Sequence, residues 1–324
     1  MNKWIKRILY LLGFGLLGFG LLGWYALENV LPYMVIKPHR NTEETWAFKL
    51  PNGNLPEGYG LVSTPLDIRT KDGITLDGFY LTSQTEAPSK TTLIMVHGIH
   101  GCKEHFIPHA KRFVDAGINV ALFDLRAHGA SGGEYCTFGY LEKEDIKTLV
   151  DTLKNRYPDQ TIGIFGNSLG GAITLQALAH DKRLEFGLIE STFHDLEEVV
   201  AEYGEDIFGV KKHVAGRSDT YPGRSDCLAF PALEVKPYQA AQKITQPVFI
   251  AHGDADTSIP LEFGRKNYEN LGSKEKEWYT IHGANHHFIW QSGGEEYIQA
   301  MIGFIKKHGG TSDEAISENE TGSH

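Results

Sequence analysis

The stretch Thr161-Ile162-Gly163-Ile164-Phe165-Gly166-Asn167-Ser168-Leu169-Gly170-Gly171 runs from an apolar strand pattern through G-x-S-x-G into a helical pattern that continues to His180. A short apolar run such as Thr161 to Phe165 suits the buried interior of a parallel sheet. A serine at the junction sits on a strained strand-to-helix turn. Gly166 and Gly170 are needed there because side chains would clash where the turn packs against its neighbours. The helix N-terminus that follows favours negative charge beside the nucleophile. The pentapeptide alone recurs by chance, and the strand before it and the helix after it make it specific.

Working outward, short apolar runs alternate with longer helical patterns, the signature of a mainly parallel sheet with helices on both faces. Leu61–Arg69 and Ile74–Thr82, split by Lys71-Asp72-Gly73, predict an opening antiparallel hairpin. Buried strands follow at Thr92–His97, Asn119–Asp124, Thr161–Phe165, Phe186–Glu190, Val248–His252 and Glu277–Ile281, giving eight strands in all. Helices are predicted over His105–Asp115, Leu141–Tyr157, Leu169–His180, Leu261–Leu271 and Glu295–His308. The charged run Glu142-Lys143-Glu144-Asp145 reads as the solvated, acidic start of the second of these. Thr192 to Thr245 is too long for one loop in a compact domain and predicts an inserted cap over the C-terminal edge of the sheet.

A serine nucleophile needs a base, an acid that orients the base, and donors for the oxyanion. His286 follows the last strand and precedes the last helix, within reach of Ser168, while Asp256 follows the preceding strand and can hold the imidazole tautomer. In chain order, Ser168, Asp256 and His286 resemble the triad of the α/β-hydrolases. His287 is the alternative base, and Asp254 and Glu190 are the alternative acids. Backbone N–H groups of Leu169, just after the nucleophile, and of Ile99, after His97-Gly98, are the candidate oxyanion donors. His282, His286 and His287 with His97 and His100 raise a metal reading. It is weak, because no HExxH is present and His282 and His286 span Gly283 at a strand end rather than one helix face. No metal, cofactor or nucleic acid is called for.

These motifs resemble the α/β-hydrolase superfamily over about residues 60 to 308. The resemblance is carried by His97-Gly98, Asp124-Leu125-Arg126-Ala127-His128-Gly129-Ala130-Ser131-Gly132, the elbow at Ser168, His252-Gly253-x-x-Asp256-x-x-Ile259-Pro260, and His286. Within it, the chain is similar to membrane-anchored serine hydrolases related to monoglyceride lipases and to the serine aminopeptidase-like group, where a segment like Glu190-Ser191-Thr192-Phe193 recurs. The resemblance implies that His97 and His128 serve mainly loop architecture. Two departures stand out: Ala127 occupies a position where the family usually has glycine, and His287 doubles the catalytic histidine.

The ends of the chain differ from its middle. Residues 8–27 carry no charge and, as a helix, would extend roughly 30 Å, enough to cross a bilayer core. Lys3, Lys6 and Arg7 precede this stretch, and Trp24 and Tyr25 sit where an aromatic belt would mark the far interface. The positive-inside rule then puts the N-terminus in the cytoplasm and the catalytic domain outside it. A cleaved signal peptide is the competing reading, against which stand the length of the apolar region and the absence of an A-x-A-like site after Trp24. The expected organisation is an anchor at 1–27, a linker at 28–60, the hydrolase domain at 61–308 with its cap near 192–245, and a disordered tail at 309–324. With 31 basic and 41 acidic residues the net charge is −10, which argues against a nucleic-acid partner. Three cysteines, Cys102, Cys136 and Cys227, allow at most one disulfide and hold no CxxC pair.

The expected activity is hydrolysis of a carboxylic ester, with a lipid-derived or acyl ester suggested by the anchor. Tyr203, Phe208, Tyr221 and Phe230 in the cap are candidates to line an acyl pocket. One alternative keeps the same triad for a serine aminopeptidase, with Glu190, Glu198, Glu202 or Glu205 holding the substrate amine. Another is a catalytically silent membrane-tethered binding protein, against which the intact Ser168, Asp256 and His286 argue.

Overall fold

The computed structural model describes residues 3–29, 36–42, 50–86, 90–208 and 234–310. In chain order its strands are β1 (Val62–Pro65), β2 (Ile68–Arg69), β3 (Thr75–Leu76), β4 (Gly78–Thr82), β5 (Thr91–Val96), β6 (Asn119–Phe123), β7 (Thr161–Asn167), β8 (Leu184–Glu190), β9 (Val248–Gly253) and β10 (Lys276–Ile281). The helices are α1 (Lys3–Asn29), α2 (Ile107–Asp115), α3 (Glu142–Arg156), α4 (Leu169–His180), α5 (Leu196–Phe208), α6 (Pro237–Ala241), α7 (Leu261–Asn270) and α8 (Ile289–His308).

An eight-stranded sheet runs in the order β1-β4-β6-β5-β7-β8-β9-β10. Only β4 pairs antiparallel with its neighbours β1 and β6, and the other pairs are parallel. Strands β5, β6 and β9 are buried at every position, as parallel strands covered on both faces must be. Their alternating side chains separate into two apolar layers. Ile94 and Val96 of β5 join the layer that holds Leu149 of α3, Leu175 of α4 and Phe263 of α7. Leu93 and Met95 join the layer that holds Phe113 of α2 and Met301 of α8. Helix α4 is buried continuously from Leu169 to Leu178, so its all-round apolar character reflects a central place in the layer.

The opening hairpin is present but broken. β1 pairs with β4 in the main sheet, while β2 and β3 form a separate two-stranded sheet. The ladder is interrupted where the Asp77 N–H turns to Ser131 Oγ at 2.9 Å and the Asp77 carbonyl accepts the Asp124 N–H at 2.9 Å. The last helix begins earlier than expected, with a turn from Ile289, and loses helical geometry at Gly294 (φ 56°, ψ −153°) before continuing to His308.

The charged run at the start of α3 departs from the solvated face expected of it. Glu142 and Asp145 are 0% and 1% exposed. Glu142 accepts the N–H groups of Thr137 and Gly139, each at 2.7 Å, and caps the turn before the helix. Asp145 takes both Nε and Nη2 of Arg126 at 2.6 Å. A buried guanidinium needs an opposite charge nearby, and a four-residue run on one helical turn can supply it from its inner face.

Of the expected cap, Leu196–Phe208 is helical, 209–233 lies outside the described residues, and Pro237–Ala241 leads back towards the sheet. Tyr221 and Phe230 and the side chains of Tyr203, Glu205 and Phe208 also fall outside the description. Cys102 and Cys136 are free and buried; Cys227 lies outside the described residues. One helix among the described residues, over Trp4–Gly23, is long and apolar enough to cross a membrane.

The packing around the elbow generates a stability prediction. A Cβ on Gly170 would be driven into the Val96 carbonyl at the end of β5, a backbone contact with little room to give. Gly170→Ala should therefore lower stability by about 2 kcal/mol or more, read as a lower urea midpoint. An unchanged midpoint would mean that the β5–α4 contact yields to the added methyl group.

Candidate active site

β7 ends at Asn167, and Ser168 turns the chain into α4 with φ 54° and ψ −118°, a region that non-glycine residues rarely occupy. The turn is over-determined. The Ser168 N–H donates to the Glu190 carbonyl at 2.9 Å, and Thr192 Oγ1 donates to the Ser168 carbonyl at 2.6 Å. Both partners follow or end β8, the neighbouring parallel strand. Gly98 packs so closely that a Cβ placed there would lie 3.3 Å from Ser168 Cβ. The chain then bends through a turn closed by Gly101 N–H on the Gly98 carbonyl at 3.0 Å. Ile99 is thereby set beside the serine.

Three side chains from separate loops meet here. His286 Nε2 stands 2.9 Å from Ser168 Oγ, and its Nδ1 stands 2.7 Å from Asp256 Oδ2. The other carboxylate oxygen, Oδ1, accepts the N–H groups of Ser258 at 3.0 Å and Ile259 at 2.9 Å. Burial by itself would raise the Asp256 pKa, but the His286 hydrogen bond, that ring's charge and the Ile259 N–H hold it below the ordinary value. A carboxylate kept ionised in this position fixes the proton on Nδ1 and leaves Nε2 to accept from the serine.

The alternatives go elsewhere. Asp254 bonds exposed His282 Nδ1 at 2.8 Å and the Gly283 N–H at 2.6 Å. His287 is exposed, with its ring centroid 5.7 Å from that of His286. Glu190 is buried, and its two oxygens accept from Asn167 Nδ2 at 2.6 Å and Tyr297 Oη at 2.7 Å. It therefore ties the elbow to α8. Glu198 is taken up by His194 and Lys266. His97 accepts the Leu125 N–H on Nε2 at 3.0 Å and lies 2.8 Å through Nδ1 from the Gly98 carbonyl, an arrangement that shapes the loop carrying Ile99.

The sequence did not single out Asn167, Tyr297 or His252 as supports of the site. His252 donates through Nε2 to the Ile259 carbonyl at 2.9 Å, which braces the Asp256 loop from below. Its signal was the His252-Gly253 pair; Tyr297, more than a hundred residues from Glu190, left none.

A cavity of about 790 Å³ opens over Ser168. Its walls include Phe138, Phe193, Leu196, Val199 and Val200 on one side and Phe106, His109 and Trp290 on another. The volume suits an organic small molecule. Among the described residues no cluster of three or more His, Cys, Asp or Glu could hold a metal ion.

A mainly parallel sheet in this strand order, with a strained serine where its central strand meets a buried helix, is the α/β-hydrolase fold, and the chain is a hydrolase of that fold. A family model and a solved esterase support the hydrolase class. A family model described as serine aminopeptidase, S33, matches residues 87–193, a span that holds the Ile99 loop and the elbow and stops short of Asp256 and His286. Protein bem46 of Schizosaccharomyces pombe is 28% identical over 290 residues, covering 88% of this chain and 87% of its own. YqkD of Bacillus subtilis is 27% identical over 240 residues, covering 70% and 76% respectively. Among solved structures, the Pyrococcus furiosus esterase Pf2001 superposes with a TM-score of 0.67 at 25% identity, covering 85% of this chain and 98% of that one.

Burial pushes the Glu190 pKa up to about 7, against the pull of its Tyr297 and Asn167 hydrogen bonds and the charge of His286. The folded state thus holds a proton that the unfolded chain releases near pH 4.5. The associated stability is present below that pH and is lost as pH rises towards 7. Relative to Glu190→Gln, the wild type should lose about 2 kcal/mol between pH 5 and pH 7, measured from urea midpoints. Parallel pH profiles for the two proteins would contradict it.

Proposed function

We propose that this protein is a serine hydrolase that cleaves a carboxylic ester through an acyl-enzyme, with Ser168 as nucleophile, His286 as base and Asp256 as the acid that orients it. The observation that carries the reading is the unbroken chain Ser168 Oγ–His286–Asp256, at 2.9 and 2.7 Å. His286 Nε2 takes the serine proton as Oγ attacks the carbonyl, and the negative charge grows on the carbonyl oxygen. The N–H of Leu169, in the first turn of α4 and so without an intrahelical acceptor, stabilises that charge together with the Ile99 N–H. The imidazolium returns its proton to the leaving alcohol, and water, activated by the same base, releases the acid. No cofactor enters this scheme.

Ester rather than amide is favoured because Glu190 and Glu198, two of the acids available to hold a substrate amine, are already bonded within the protein. The apolar wall of Phe138, Phe193, Leu196 and Val199 suits an acyl chain. The same reading keeps residues 1–27 as a membrane anchor and 61–308 as the catalytic domain, with the latter outside the cytoplasm by the charge bias around α1. It makes a lipid-derived ester the natural substrate.

Ser168→Ala should abolish fluorophosphonate labelling and lower p-nitrophenyl ester hydrolysis on the order of 10⁴-fold or more. Asp256→Asn should cost on the order of 10³–10⁴-fold in kcat, since an amide cannot hold the same tautomer, while Asp254→Asn leaves the rate nearly unchanged. A labelled Ser168→Ala protein, or the reverse ranking of the two aspartates, would overturn the assignment. Orientation has its own check: the domain should be digested when protease is added to intact spheroplasts, and full protection until permeabilisation would place it in the cytoplasm.

A further inference from the structure

Within the segment expected to be a linker, residues 36–42 lie against the catalytic domain. Ile36 is 2% exposed in the main apolar layer, and its carbonyl accepts the Cys136 N–H at 2.7 Å. Lys37 pairs with Glu134 at 2.9 Å. The Arg40 guanidinium donates to the carbonyls of Gly129, Ser131 and Gly133. These contacts fasten a short strap to the loop that follows β6.

The strap then reaches the residue next to Ile99. The His39 N–H donates to His100 Nδ1 at 3.0 Å, and Asn41 Nδ2 donates to the His100 carbonyl at 2.7 Å. His100 has φ 58°, a left-handed conformation that costs a non-glycine residue energy and persists only where neighbours hold it. Both bonds from the strap act on this one strained residue, one on its ring and one on its backbone. Its ring also lines the cavity. Desolvation holds the His100 pKa below the ordinary histidine value, so the ring stays neutral and Nδ1 remains free to accept.

We propose that residues 36–42 are part of the catalytic apparatus, with Asn41 and the His39 amide acting as positioning groups. They hold His100 in its left-handed conformation and so keep the preceding Ile99 N–H aimed at the substrate carbonyl oxygen. The inference rests on the serine-hydrolase reading above and assigns to the segment just after α1 a role in the chemistry. The Ile99 N–H belongs to the Gly98–Ile99 peptide, and Ile99 and His100 are the two central residues of the turn closed by the Gly101 N–H on the Gly98 carbonyl, so the strap holds the donor by fixing the shape of that turn. Because oxyanion contacts tighten in the transition state, loss of the strap should appear in kcat and leave KM largely unchanged.

The test uses the full-length protein in detergent with p-nitrophenyl butyrate. Asn41→Ala should lower kcat about tenfold, leave KM within twofold, and slow fluorophosphonate labelling in parallel. Combining Asn41→Ala with His100→Gly should recover most of that loss, because glycine adopts the left-handed conformation without support. A merely structural contact would not be rescued in this way. An Asn41→Ala enzyme with wild-type kcat, one changed only in KM, or a double variant no better than the product of the single effects would each overturn the proposal. A wild type that neither labels nor hydrolyses the ester removes the hydrolase reading itself and the strap's catalytic role with it, which separates the two failures.

Discussion

The backbone of Ser168 carries the constraint on which the rest of the site depends. A serine at φ 54° relaxes unless the chain on either side is fixed, and here it is fixed by the most buried parts of the molecule. β7 lies between β5 and β8, and α4 is packed on all sides. The turn between them is too tight for a side chain at Gly166 or Gly170. Hydrogen bonds from the end of β8 then hold the serine's own N–H and carbonyl. The strain is thus sustained by sheet and helix packing rather than by any single bond, which is how a rare backbone conformation persists in a folded protein.

A second set of buried polar groups fixes the loop opposite the serine. Lys103 is 4% exposed and its Nζ meets Asp77, Glu104 and Asp124 at 2.7, 2.8 and 2.9 Å. Asp124 also accepts the N–H groups of Lys103 and Ala130. A buried charge is tolerated only when paired and bonded in this way. The cluster joins the chain after β5 to the chain after β6, and His97 adds a further tie through the Leu125 N–H. Ile99 and His100 stand between this cluster on the inside and the 36–42 strap on the outside. The loop that carries them therefore contacts buried charges through its own chain and, through His100, a peptide from just beyond α1.

Local chemistry explains why so much of the site was readable. A strand, a tight turn and a helix are each written over consecutive residues, so the elbow at Ser168 and the burial of its flanking strand from Ile162 to Gly166 follow from a dozen positions. Asp256 and His286 were legible because a parallel sheet delivers the ends of successive strands to one edge, where strand order converts into proximity. Which of Asp256 and Asp254, two residues apart, meets His286 was a matter of loop direction. It was decided by the Ser258 and Ile259 N–H groups turning back onto one carboxylate. The acidic run at 142–145 was misread as solvated because the partner that buries Asp145 is Arg126, which belongs to a different element.

By itself the sequence determined the layered α/β architecture, the elbow at Ser168, the strand ends that carry Asp256 and His286, and a helix apolar enough to enter a membrane. These properties depend on periodicity, turn chemistry and chain order, all of which are local. Tertiary structure alone decided that Glu190 bonds Tyr297, that β2 and β3 leave the main sheet, and that residues 36–42 contact His100. The Glu190–Tyr297 and Asn41–His100 pairs join groups far apart in the chain, and such pairings form only once the layers have packed.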